Sequence, residues 1–221
     1  MKIMQCWDDG VANDAPLVDM LRKYHAKATF NINPGVNGQH DRLEVFEELF
    51  RGQFAVYHLS LDEMKDLYRG FKIAGHSMTH PHLIQLTAAD LQSELGDCME
   101  FIRDYFGQDE VGFAYPFGDY NAEVKQALRN VGYRYARTVL KSDGILRLDD
   151  PMELHPHCHF MSSDFWTKYE KVREQNGIFY FWGHSYEMMD DKALWDEFES
   201  KLARINEDPN AEWIDVIDLF A

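Results

Sequence analysis

The chain has 221 residues, enough for one domain with a full hydrophobic core. Its 38 Asp+Glu against 22 Lys+Arg give a formal net charge of -16. That balance argues against a nucleic-acid partner or an anionic membrane surface, both of which demand a basic face. Cys6, Cys98 and Cys158 are scattered and lack C-x-x-C spacing, so neither a disulfide framework nor a cysteine zinc site is expected.

The first strand is expected over 2–7 and runs straight into Asp8-Asp9-Gly10. No apolar stretch with a small-residue cleavage site precedes it, so the cytoplasm is the expected location. No apolar run approaches the roughly 18 residues of a membrane span. Asn13-Asp14-Ala15-Pro16 reads as a helix start, and Leu17, Val18, Met20, Leu21 and Tyr24 follow at helical spacing. Ala28-Thr29-Phe30-Asn31-Ile32 is a second strand, ended by Pro34-Gly35. Helices are expected over 41–51 and 60–69, the latter opened by a capping box at Ser60-Leu61-Asp62-Glu63.

Residues 71–75 form a third short strand. Thr87 caps the clearest helix, 87–106, with Leu91, Leu95, Cys98, Met99 and Ile102 on one side and Gly107 as its stop. Strand 112–115, helix 121–130, strand 133–138, helix 161–175, strand 178–182, helix 190–205 and strand 213–217 complete the chain. This alternation, with no repeat and no flexible linker, predicts a single α/β domain spanning 1–221. The number of strand-helix units favours a distorted parallel barrel of seven or eight units over an open sheet.

Polar clusters stand at the ends of these strands: Asp8-Asp9 after the first, His76-Ser77-Met78-Thr79-His80 after the third, His184 after 178–182. Loops at the C-terminal ends of parallel strands build the site, so the three should converge. Two histidines four apart can share one face of a helical turn and one metal ion, and a carboxylate from another loop completes a set with open positions. Asp8-Asp9 offers two carboxylates on a bend that Gly10 permits. One can bind metal while the other takes a proton from water. Each piece alone has a plain alternative, a packing histidine pair or an ordinary turn; their combination at successive strand ends is what points to chemistry.

The chain resembles the polysaccharide deacetylase family, also called the NodB-homology domain or carbohydrate esterase family 4. The resemblance rests on Cys6-Trp7-Asp8-Asp9-Gly10, on His76-Ser77-Met78-Thr79-His80, on Ala114-Tyr115-Pro116-Phe117-Gly118, on Phe179-Tyr180-Phe181-Trp182-Gly183-His184, and on Ala28-Thr29-Phe30 in the second strand. It implies that Asp9, His76 and His80 bind a divalent metal, usually zinc, with cobalt, manganese or nickel as substitutes. It also implies Asp8 as general base, His184 as the acid that protonates the leaving amine, and the Phe117 backbone N–H as an oxyanion donor. Two departures stand out. Ala114 replaces an arginine that tunes the base, and a fourth motif, an aspartate near a tryptophan, is not visible.

Glu187 is a candidate orienter of His184, or else a solvated surface residue. In Leu154-His155-Pro156-His157-Cys158-His159 the alternate histidines would share one strand face. His159 is the choice to line the pocket in place of the missing motif. A second metal site there is disfavoured by Pro156 and the lack of a fixed carboxylate. His25, His58 and His82 read as packing or surface histidines. Trp182, Phe117, Tyr115, Tyr186 and Trp7 are expected around the site, where sugar rings stack on aromatic faces, although core aromatics look alike. The expected activity is metal-dependent removal of acetyl groups from N-acetylated amino sugars. The alternatives are an O-acetyl esterase, a small-amide hydrolase acting on a formamido sugar or an allantoin-like amide, and a carbohydrate-binding domain without turnover.

Overall fold

A computed structural model describes residues 1–37, 43–48 and 52–220. Strands β1 (Lys2–Asp8), β2 (Thr29–Ile32), β3 (Leu43–Glu48), β4 (Gly52–Tyr57), β5 (Lys72–Gly75), β6 (Phe113–Ala114), β7 (Ala136–Arg137), β8 (Cys158–His159), β9 (Ile178–Gly183) and β10 (Glu212–Trp213) alternate with helices. The helices are α1 (Asp14–Lys23), α2 (Pro34–Asn37), α3 (Leu61–Leu67), α4 (Ala88–Phe106), α5 (Ala122–Val131), α6 (Phe165–Glu174) and α7 (Lys192–Glu207). Among the described residues the main sheet runs β7-β6-β5-β2-β1-β9-β8, and β10 pairs with the start of β1. Every pairing in it is parallel. Leu154 bridges Arg137 of β7, and Cys158-His159 just beyond pair with Phe181 and Trp182 of β9. One segment therefore joins both rims of the sheet and closes it into the irregular α/β barrel that strand-helix alternation predicts.

The period of two along each strand sorts side chains into two cores. Ile3 and Trp7 of β1, with Phe179 and Phe181 of β9, face the helices and pack with Leu17, Phe165 and Phe198. Met4, Cys6, Tyr135, Leu154 and Tyr180 fill the inside. Continuing the inner rows by one step along β1, β7 and β9 leads to Asp8, Arg137 and Trp182, at the C-terminal mouth where parallel barrels carry their sites. Thr87 and Gly107 bracket α4 as its composition predicts: the threonine hydroxyl accepts from Asp90 N–H and Gly107 closes the helix at φ 67. Ser60 and Glu63 form the expected capping box of α3.

The helix expected over 41–51 is not there. Residues 43–48 are a strand, paired antiparallel with β4, and 41–42 and 49–51 lie outside the described residues. Glu and Leu favour a helix locally, but a partner strand overrides that preference. The last strand is shorter than the expected 213–217. β10 pairs with Lys2 and Ile3 only, and the chain then turns into a 3-10 turn over Val216–Leu219. Among the described residues no helix is long and apolar enough to cross a membrane.

Candidate active site

β1 ends at Asp8, and the backbone then takes left-handed values at Asp9 (φ 79) and Gly10 (φ 62). This bend lets two adjacent carboxylates part company. Asp8 stays on the inner face, while Asp9 turns toward the loop after β5. In that loop Ser77 (φ 63) and His80 (φ 59) are also left-handed, so a tight loop, not the expected helical turn, brings the two histidines together. The Nε2 atoms of His76 and His80 are 3.2 Å apart. Asp9 Oδ1 is 3.7 Å from the first and 3.9 Å from the second. His76 Nδ1–H donates to the Ala114 carbonyl at 2.8 Å, which leaves Nε2 as the lone-pair nitrogen aimed at this point.

Burial pushes the His76 imidazole down to about 4. Burial, and then the neighbouring His76, push His80 down to about 2. Both rings are therefore neutral at neutral pH, as metal ligands must be. Two imidazole nitrogens and one carboxylate oxygen at these separations fit a single divalent ion of the zinc type, with room left for further ligands. Behind the loop, Asn37 Nδ2 donates to the carbonyls of Asp9 (3.3 Å) and Gly10 (2.9 Å), and His58 Nδ1 lies 3.2 Å from the Asp9 carbonyl. His58 thus braces the bend from behind.

Asp8 is buried and gripped at both oxygens. Asn31 Nδ2 donates to Oδ1 at 2.6 Å, and Arg137 Nη2 donates to Oδ2 at 2.6 Å. Burial alone would raise its pKa, but the Arg137 charge, then His76, His184 and the Asn31 hydrogen bond, outweigh it and hold the carboxyl at about 2. His184 Nε2 faces Asp8 Oδ2 at 3.8 Å and Asp9 Oδ2 at 3.9 Å. Its Nδ1 is 3.5 Å from Glu187 Oε2, which is also 2.8 Å from His159 Nε2. Burial opposes charge on His184, yet Glu187 first, then Asp9 and Asp8, raise it to about 10. Glu187 is held well below the usual carboxylate range despite its burial, by His159 and His184. Glu187 is only 1% exposed, so the solvated-surface alternative does not hold. Tyr186 stacks on the His184 ring at 5.0 Å, and Trp182 meets its edge at 5.4 Å.

Phe117 stands at the rim in a strained left-handed conformation, its ring 4.6 Å from that of His80 and stacked on His82 at 3.9 Å. Tyr115 is not in the pocket expected of it. It stacks on Tyr120 in the helix-side core and donates to the Met152 carbonyl, because it lies one residue out of phase with Ala114. Trp7 is likewise buried toward the helices and packs against Phe198. The three alternate histidines do not share a face. β8 spans only Cys158–His159, His155 pairs with Thr138, and His157 Nε2 donates to the Gly144 carbonyl. A pairing absent from the sequence-based expectation is that of Asp8 with Arg137 and Asn31. Each is a polar residue in a strand of apolar neighbours, at an inward position, and that was the available signal.

At the mouth of the parallel α/β barrel two histidines and one carboxylate converge on a point where a metal ion could sit, with a second carboxylate and a third imidazole beside them. Among known proteins, the sequence model of the polysaccharide deacetylase family matches residues 1–136, more than half of the chain, and the chain belongs to that family. YxkH of Bacillus subtilis (strain 168), named as a polysaccharide deacetylase, is 29% identical over 139 residues, 62% of this chain and 44% of its own length. The peptidoglycan deacetylase of Helicobacter pylori is 23% identical over 128 residues, 58% of this chain and 37% of its own. The chain thus spans under half the length of these relatives. Two solved structures share the fold over nearly all of it. The Bc1960 peptidoglycan N-acetylglucosamine deacetylase has a TM-score of 0.61 at 16% identity, covering 99% of this chain and 87% of that one. A family 4 carbohydrate esterase from Streptomyces lividans, bound to acetate, has 0.56 at 17%, covering 93% and 89%.

Proposed function

We propose that the chain is one catalytic domain that hydrolyses the acetamido group of an N-acetylated amino sugar in a glycan, releasing acetate and a free amine. The observation that carries this is the convergence of Asp9, His76 and His80 on one point, with the Asp8 carboxylate and the His184 imidazole side by side next to it, 3.8 Å apart; their partners favour an ionised Asp8 and a protonated His184. Asp9, His76 and His80 would hold a divalent cation, zinc in the simplest reading. Such an ion acidifies water and polarises an acyl oxygen. Asp8, held by Arg137 and Asn31, accepts the proton of the attacking water. His184 delivers a proton to the departing nitrogen, without which an amine is a poor leaving group. The Phe117 N–H, on the rim beside His80, would serve as a donor to the oxyanion. Glu187 keeps His184 charged, and His159 holds Glu187 from the other side.

The test is acetate release from an N-acetylated chito-oligosaccharide by the zinc-, cobalt- and manganese-loaded protein, with acetylated xylan in parallel. Release from the chito-oligosaccharide is expected. Release from xylan alone would replace this reading with an O-acetyl esterase, and release from neither would remove it. His184→Ala should lose ~10²–10⁴-fold on the amide but far less on nitrophenyl acetate, whose leaving group needs no proton. Equal loss on both would remove His184 as the acid.

A further inference from the structure

We propose that Arg137 is the positioning residue of the base, and that this function belongs to a place inside the barrel rather than to β7. The proposal rests on the deacetylase reading for its catalytic part and on geometry for the rest. Arg137 and Asp8 are both buried, with Nη2 and Oδ2 2.6 Å apart. Asn31 takes the other carboxylate oxygen, so each oxygen has one fixed donor and the plane of the carboxylate is set. The guanidinium lies over the Trp182 indole, 4.6 Å from its centroid. Trp182 belongs to β9, the strand that leads into His184. One buried cation therefore spans from the base on β1 to the strand that carries the acid.

β6 and β7 run parallel with Ala114 opposite Arg137. Register partners on neighbouring strands leave the same face, roughly 4.8 Å apart, less than the reach of an arginine side chain. Ala114 presents only a methyl group to the interior, while its carbonyl is used by His76. Ala114 thus offers no cation at this inward position, and Arg137 on the neighbouring strand supplies one. Because 114 and 137 are register partners on one face, a cation at 114, with 137 emptied, should reach toward the same carboxylate from the next strand. The alanine where an arginine was expected is thus no loss of function; the arginine has moved by one strand.

Four metal-loaded proteins test this: wild type, R137A, A114R and A114R/R137A, with R137M as a variant that keeps the aliphatic stem on Trp182. Acetate release from N-acetylated chito-oligosaccharide is resolved into kcat and KM, and bound metal is measured. R137A and R137M should lose ~10²-fold or more in kcat, with KM and metal content little changed. A114R/R137A should recover at least ~10-fold of that loss, and A114R alone should gain nothing. Folded R137M with wild-type kcat would overturn the proposal, and so would a folded double variant no better than R137A. A second readout does not depend on turnover. In metal-free protein R137M should lower Tm, and should lower it much less when Asp8 is already Asn. Equal losses in the two backgrounds would mean that Arg137 does not hold Asp8. If the wild type deacetylates nothing, the functional reading fails and this thermal comparison alone decides the pairing.

Discussion

Asp8 and the histidines within a few ångströms of it take different charge states because their partners differ. Asp8 is ionised by Arg137, whereas His76 and His80 are kept neutral by burial. His184 is the reverse case, a buried imidazole kept charged by Glu187. This makes the protonation of His184 a property of its partner. At Glu187→Gln the hydrogen bond to a carboxylate and its charge both go, so the His184 pKa should fall from about 10 toward the ordinary histidine range near 6.5. The alkaline limb of the kcat profile should move down with it, and an unmoved limb would detach Glu187 from the acid. The sign for stability follows from the same shift. A raised folded-state pKa stabilises fully below about 6.5, and that contribution fades as pH rises through about 10. Asp8, with its folded value near 2, stabilises above about 3.9 and loses its contribution as pH falls through about 2.

At the scale of elements, what could be read in advance depended on how local the cause was. Asp8, Asp9, His76, His80 and His184 were legible as a group because they stand at or shortly after the ends of strands whose apolar pattern is plain. α4 was legible because its cap, stripe and stop are all in its own sequence. The hairpin β3–β4 was not, since its strands are defined by each other. Arg137 was not, since its partner Asp8 is 129 residues away. Its inward place becomes visible only when β7 is laid beside β6. The bend after β1 is the most local feature of all and the least tolerant. Gly10 has φ +62, and a Cβ there would meet Met64 Cε at 2.2 Å. Met64 Cε is the flexible end of its side chain and can shift, so Gly10→Ala should destabilise by about 1–3 kcal/mol, chiefly from backbone strain. Because the same bend aims Asp9, zinc affinity should drop as well. Thermal unfolding and zinc titration check both. Wild-type values in each would show that the bend has slack the geometry denies it.

At the scale of the molecule, the barrel gathers Asp9, His76 and His80 from two separate loops onto one point, so metal binding there, as proposed, would be linked to folding. An unfolded chain has no such site, so saturating zinc should stabilise by about 2.7 kcal/mol at 100-fold over Kd, roughly 5–10 °C in Tm for a chain of this length. His76 and His80 add a pH dependence. Held near 4 and 2 in the fold, they refuse protons that the unfolded chain accepts below about 6.5, so metal-free protein loses stability as pH falls through that value. If zinc binds the neutral rings as proposed, its stabilising effect should persist down to about 4, where His76 begins to take a proton. Asp9→Ala and His80→Ala remove a ligand and should abolish the zinc-dependent rise in Tm. Asp8→Asn should keep it, because Asp8 is engaged by Arg137 and Asn31 and faces the centre without belonging to it. Differential scanning calorimetry with and without zinc, from pH 4 to pH 8, separates the two carboxylates. A full zinc response in Asp9→Ala, or its loss in Asp8→Asn, would exchange the roles assigned to these adjacent residues.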